Sequence, residues 1–132
     1  MELVDLVRDA DRVYLIGNGG SYANAAHIAN DLLACGIRAY TLDSATLTAF
    51  ANDHGYENVF SLWLEKVGEE GDLLIALSGS GRSPNILNAC ATAERMGMTV
   101  WREFGAAQGL GMQAAEERQI ALGHELREAL CK

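Results

Sequence analysis

Proline is almost missing from this chain: Pro84 is the one example among 132 residues. Basic residues are also in short supply, 10 Lys and Arg against 18 Asp and Glu, for a net charge of −8. That balance excludes a binder of the nucleic-acid backbone, which needs a basic face. No apolar run approaches the roughly 18 residues of a transmembrane helix, and no signal-peptide pattern opens the sequence. The expectation is therefore a cytoplasmic protein with no membrane partner. Cysteine is confined to Cys35, Cys90 and Cys131, an odd number without CxxC spacing. This points to a reducing compartment and against a cysteine zinc site. A chain of this length buries enough surface to fold without a disulfide framework.

What the sequence does have is glycine, 14 residues, with 49% hydrophobic and 21% charged residues. This is the composition of one folded domain spanning 1–132. Leu3, Leu6 and Val7 stand at helical spacing in a short opening helix. Arg12 to Ile16 is an apolar run ending at Gly17, the pattern of a buried parallel strand. A helix follows from Ser21 to about Cys35, stopped by Gly36. Residues 37–42 read as a second strand ending at Asp43, 47–51 as a short helical stretch and 58–67 as a longer helix. The clearest strand is Asp72 to Leu77, followed by a helix that Pro84 opens and Gly97 stops. Met98 to Trp101 reads as a short strand breaking into Arg102 and Glu103, 105–111 as a loop, and Gln113 to Leu130 as a final amphipathic helix. Alternating strands and helices predict an α/β fold with an open, mostly parallel sheet flanked by helices. Ligands of such folds sit beyond the carboxyl ends of the strands.

Two glycine-rich segments lie at those ends. In Gly17-Asn-Gly-Gly-Ser21, backbone N–H groups approach an oxyanion at a helix start, with Ser21 adding a hydroxyl. In Ser78-Gly-Ser-Gly-Arg-Ser83, hydroxyls alternate with glycines before a helix dipole. Neutral donors of this kind suit a single phosphate, and no GxxxxGK[ST] is present. A dinucleotide site is the competing reading, since Gly17, Gly19 and Asp43 follow that pattern. It fails at Tyr22, where close packing needs a small residue, and it leaves the serine loop unexplained. His27 and Asp31, four apart, share a helical face. Their spacing fits an oriented imidazole, a proton acceptor or a metal site, as well as a plain hydrogen-bonded pair. On the last helix Glu117 and His124 face one way, with Glu116 a little round the cylinder. His54 reads as structural.

These residues also carry a resemblance. GNGGSYANAAHIANDL (17–32), TLTAFANDHGYENVF (46–60), GDLLIALSGSGRSPN (71–85) and ERMGM (94–98) are similar to the signatures of phosphoheptose (sedoheptulose 7-phosphate) isomerases of the SIS, or sugar isomerase, superfamily. The resemblance implies a SIS-type, Rossmann-like sheet, carbohydrate metabolism, aldose–ketose isomerisation through an enediol, and a homo-oligomer, dimer or tetramer. Carried over by position, Asn18, Gly19, Ser21, Ser78, Ser80 and Ser83 hold the phosphate of a heptose-like sugar, and Asp43 lies near its hydroxyls. Gly79 stands where the family often has a hydroxyl residue. Asp31, where the family usually has glutamate, becomes the catalytic base and His124 the acid. Some members bind zinc, which here implies His27, Asp31, Glu116 and His124 as ligands. Helical spacing alone favours Glu117 over Glu116. Against the family pattern the chain is shortened at both its N-terminal and C-terminal regions. Phe60, Trp63 and Trp101 read as core residues or as association faces. Beside the isomerase stands a second expectation, a phosphosugar-binding or protein-docking SIS domain without turnover, and a third, an interaction domain with no small ligand.

Overall fold

The apolar runs become strands because helices cover both of their faces. In the computed structural model, which describes residues 1–131, β1 (Val13–Ile16) and β3 (Leu73–Ser78) are buried at every position. Shorter or more exposed strands flank them, β2 (Ala39–Thr41) and β4 (Thr99–Phe104). The order is β2-β1-β3-β4 and every pairing is parallel. Along β3 the side chains alternate between two cores. Leu73, Ile75 and Leu77 pack with α1 (Leu3–Asp9), α2 (Gly20–Ala34) and α6 (Met112–Leu130). Leu74 and Ala76 pack with α4 (Val59–Val67) and α5 (Pro84–Arg95), and α3 (Ser44–His54) lies at the edge of that second core. Each fully buried leucine here contributes about 1.5–3 kcal/mol relative to exposure. Phe60 is wholly buried, and Trp63 and Trp101 pack against the two cores, so all three serve as core side chains.

Three expectations need correction. β4 does not break at Arg102 and Glu103 but runs to Phe104. Glu103 is buried there because its carboxylate accepts from Trp101 Nε1 at 3.1 Å and Gln108 Nε2 at 2.6 Å, while Arg102 pairs with Glu94. α3 is eleven residues rather than a short stretch, since Asp43 caps it through the Thr46 N–H at 3.0 Å. Finally, Cys35 and Cys131 form a disulfide, leaving Cys90 as the free thiol. They are 96 residues apart in sequence. Only the packing of α2 beside α6, which brings both helix ends together, makes them partners.

The topology positions the site. The chain leaves β1 in one direction, to β2, and returns across it to β3, so β1 and β3 flank a reversal of winding. The loops after these two strands open side by side at the carboxyl edge, where open parallel sheets hold ligands.

Candidate functional site

The first loop turns through Gly19, whose φ of 56° only glycine adopts freely, and places Ser21 in the first turn of α2. The second follows β3 directly and ends at Ser83, the N-cap of α5, with Pro84 as its first helical residue. Ser21, Ser78, Ser80 and Ser83 line one cavity of about 60 Å³ together with Asn18, Gly79 and Met112. The serines expected from the sequence to hold phosphate thus converge. Three hydroxyl oxygens already accept from the protein. Ser78 Oγ takes the Gly81 N–H at 2.9 Å, Ser80 Oγ the Arg82 N–H at 3.1 Å, and Ser21 Oγ the Gln119 Nε2 group at 3.0 Å. A hydroxyl that accepts in this way keeps its own proton to donate. The result is a cup of O–H donors at the starts of α2 and α5, matched in size to a phosphate group and far below the 300 Å³ or more typical of a whole-ligand pocket.

Asn18 lines that cavity too, and its amide is engaged with the protein. Its Nδ2 donates to Asn85 Oδ1 and its Oδ1 accepts from Asn85 Nδ2, both at 2.9 Å. The same Oδ1 accepts from Tyr56 Oη at 2.6 Å. Asn18 therefore ties the two loops to each other and to the turn after α3. Asp43 spends one carboxylate oxygen on its helix cap, which holds its pKa below the usual 3.8. Tyr22, at the third glycine position of a dinucleotide motif, donates instead to the Leu42 carbonyl at 2.6 Å.

A second group of residues lies along the α2–α6 pair, which runs parallel. Asn24 Nδ2 bonds Gln119 Oε1 at 2.8 Å, the His27 and His124 rings meet edge to face at 5.8 Å, and Arg127 Nη1 lies 3.9 Å from Asp31 Oδ1. The Cys35–Cys131 disulfide closes the far end. Gly123 permits this approach, since a Cβ there would fall 2.5 Å from Ile28 Cγ1. His27, Asp31 and His124 offer ligand atoms all within 4.8 Å of one another, so the predicted histidines and carboxylate do meet. The group fits a metal ion. Asp31 Oδ2 is buried without a hydrogen-bond partner, and His27 Nε2 lies 3.3 Å from it. Two imidazoles and one carboxylate are also a set that zinc accepts with a position left open. Glu116 is not part of this group. It sits eight residues before His124, about 12 Å along the helix, and its carboxylate lies against Gly20. Glu117 is likewise outside it and accepts from Gln113 Nε2 at 3.2 Å.

Comparison with known proteins identifies the family and the fold. Residues 2–101 match the family model described as SIS domain. The chain belongs to the SIS-domain family. Within it, the chain is a homologue of phosphoheptose isomerases. It is 40% identical over 119 residues to the phosphoheptose isomerase of a Bradyrhizobium strain, covering 84% of this chain and 60% of the relative. With that of Sulfurimonas denitrificans it shares 44% over 127 residues, 90% of this chain and 64% of the relative. The structure of phosphoheptose isomerase from Neisseria gonorrhoeae superposes with a TM-score of 0.86 at 27% identity, over 97% of this chain and 80% of that one. This SIS chain thus spans about 60% of the length of the curated relatives it first matches. Among its described residues no helix is long and apolar enough to cross a membrane.

Sequence reasoning missed Gln119, Asn85, Tyr56 and Met112 in this SIS domain. Asn85 had one signal, a polar residue directly after the helix-opening Pro84. Gln119, Tyr56 and Met112 had none, because each reaches the site through a contact distant in sequence.

Proposed function

We propose that this SIS chain binds a phosphorylated sugar, a sedoheptulose 7-phosphate-like ketose, and interconverts its ketose and aldose forms. The observation that carries the reading is the convergence of Ser21, Ser78, Ser80 and Ser83 on one phosphate-sized cavity. In this reading the four hydroxyls and the helix starts hold the phosphate. Asp31 takes the proton beside the carbonyl, His124 acts as the acid, and His27 orients Asp31 or joins it on a metal. In a zinc-bound form His27, Asp31 and His124 would instead hold the ion, which would supply a Lewis acid for a substrate oxygen. The helix geometry bears on the assembly. From Ser21, His27 lies about 9 Å and Asp31 about 15 Å along α2. A seven-carbon phosphate reaches roughly 8–9 Å, about two and a half residues of extended chain. Asp31 therefore lies beyond the reach of a substrate held in the cup of its own chain, which supports a homo-oligomer with shared sites.

The same spacing, with Asp31 one methylene shorter than glutamate, supports a second reading, a phosphosugar-binding domain without turnover. Thermal unfolding with C5 to C7 sugar phosphates, followed by a turnover assay, separates the readings. At 100 times Kd the ligand stabilises by about 2.7 kcal/mol, near 10 °C for a chain of this size. A shift that Ser80→Ala abolishes, with turnover that Asp31→Glu raises, supports the isomerase. A shift without turnover in either protein selects the binding domain. No shift with any sugar phosphate defeats both.

A further inference from the structure

We infer that Asn85 and Tyr56 are positioning residues for the phosphate cup, acting through Asn18 to hold it closed before ligand arrives. The inference rests on the reading of the four-serine cavity as a phosphate site. Asn85 touches none of that cavity's space, yet its side chain is 98% buried and makes both hydrogen bonds of a reciprocal amide pair with Asn18. The pair joins the loop after β1 to the first turn of α5. Since Ser21 lies in one of these segments and Ser83 in the other, it fixes the separation of hydroxyls that must meet on one anion. Tyr56 adds a third segment. Its hydroxyl donates to the Asn18 oxygen that already accepts from Asn85, so the turn after α3 is drawn onto the same point. Hydrogen bonds in series polarise one another, and here the middle member is the one residue of the three that lines the cavity.

The physical consequence concerns binding more than folding. A cup assembled from two loops must otherwise spend part of its binding energy on ordering them, and preorganisation removes that cost. Asn88 provides an internal contrast. It tethers the same turn by donating to the Glu57 carbonyl at 3.0 Å, but it makes no contact with Asn18.

The test measures the affinity of the full chain for inorganic phosphate and for sedoheptulose 7-phosphate by calorimetry, with the midpoint of thermal unfolding taken on every variant. Tyr56→Phe removes one hydroxyl from a half-exposed ring and keeps the fold. It is expected to weaken both ligands about fivefold with little change in midpoint, the size of one net hydrogen bond. Asn85→Leu leaves the Asn18 Nδ2 donor without its partner and is expected to weaken them about tenfold or more. In the Asn85→Leu background Tyr56→Phe should add almost nothing, because both act through Asn18. Asn88→Ala should leave affinity unchanged. If Asn85→Leu does not fold, the Tyr56→Phe result alone decides. Wild-type binding with Tyr56→Phe equal to it overturns the inference while the phosphate cup stands. An equal loss in Asn88→Ala also overturns it, by showing that any tether of the turn suffices. A wild-type chain that binds neither ligand removes the cup and the inference together.

Discussion

Reducing the Cys35–Cys131 disulfide should cost this protein a large share of its stability, and the size follows from loop length. The bond closes a loop of 96 residues. On the chain-entropy model, ordering lost from the unfolded state at that length amounts to about 4.7 kcal/mol at 25 °C. A domain of this size has a total stability of about 5–15 kcal/mol. With an unfolding entropy of about 2.1 cal/mol/K per residue, the expected fall in midpoint is near 17 °C. The assay is thermal unfolding of the wild type with and without dithiothreitol, beside Cys35→Ala and Cys131→Ala, with Cys90→Ala as control. Thiol titration of the unreduced, denatured chain should give one free thiol, from Cys90. The loss should appear in all three reduced or disulfide-free samples and not add between them. A titration giving three thiols, or a midpoint that dithiothreitol moves by less than about 3 °C, would falsify the reasoning. A loss confined to Cys131→Ala would show instead that the end of α6 matters by its packing.

Other outcomes follow from the same structure. Gly79→Ser pushes only on Met112, an exposed side chain free to swing away, so stability should stay within about 0.5 kcal/mol. Gly105→Ala instead meets Ala115 on α6 and the Gly79 carbonyl at 3.2 Å, and denaturant titration should show a loss of about 1–3 kcal/mol. Tyr14, pushed up to about 12 by burial and then by the charge of Asp72, should be the last tyrosine to ionise in an ultraviolet titration. Because its folded pKa is raised, its contribution is complete below the unfolded value near 10 and is lost between there and about 12. Asp43 works in the opposite sense: its lowered pKa makes the α3 cap complete above 3.8 and lost as pH falls below that. Faster exchange of the Thr46 amide over that acid range would report it. Zinc should raise the unfolding midpoint and EDTA reverse it, both effects vanishing in His124→Ala. An unchanged midpoint in wild type excludes a metal at His27, Asp31 and His124.

Much of the fold was legible because its signals are local. β1 and β3 announce themselves as apolar runs ending in glycine, and α5 is bracketed by Pro84 and Gly97. Their observed bounds lie within a residue or two of those read from the sequence. The serine loop was legible for the same reason, since a strand, a hydroxyl-rich turn and a helix start occur in one stretch. What escaped depends on distant partners. Glu103 looks like a strand breaker until Trp101 and Gln108 supply its hydrogen bonds. The metal set was half legible: the i, i+4 pair on α2 could be read, but which α6 residue faces it depends on how the two helices align. That alignment brings in His124 and leaves Glu116 two turns away, over Gly20. Cys131 is the extreme case, for nothing near it in sequence points to Cys35.

The alignment of α2 and α6 also has a mechanical side. The two helices are pinned covalently at their C-terminal ends, and the first turn of α2 meets α6 at the phosphate cup through the Gln119–Ser21 bond. Two stiff rods so joined hold a fixed register, because neither slides along the other without breaking one of these two links. Ser21 lies about 21 Å from the disulfide along α2 and His27 about 12 Å. The spacing between the cup and the imidazole pair is thus set by a single rigid helix, with no loop between them.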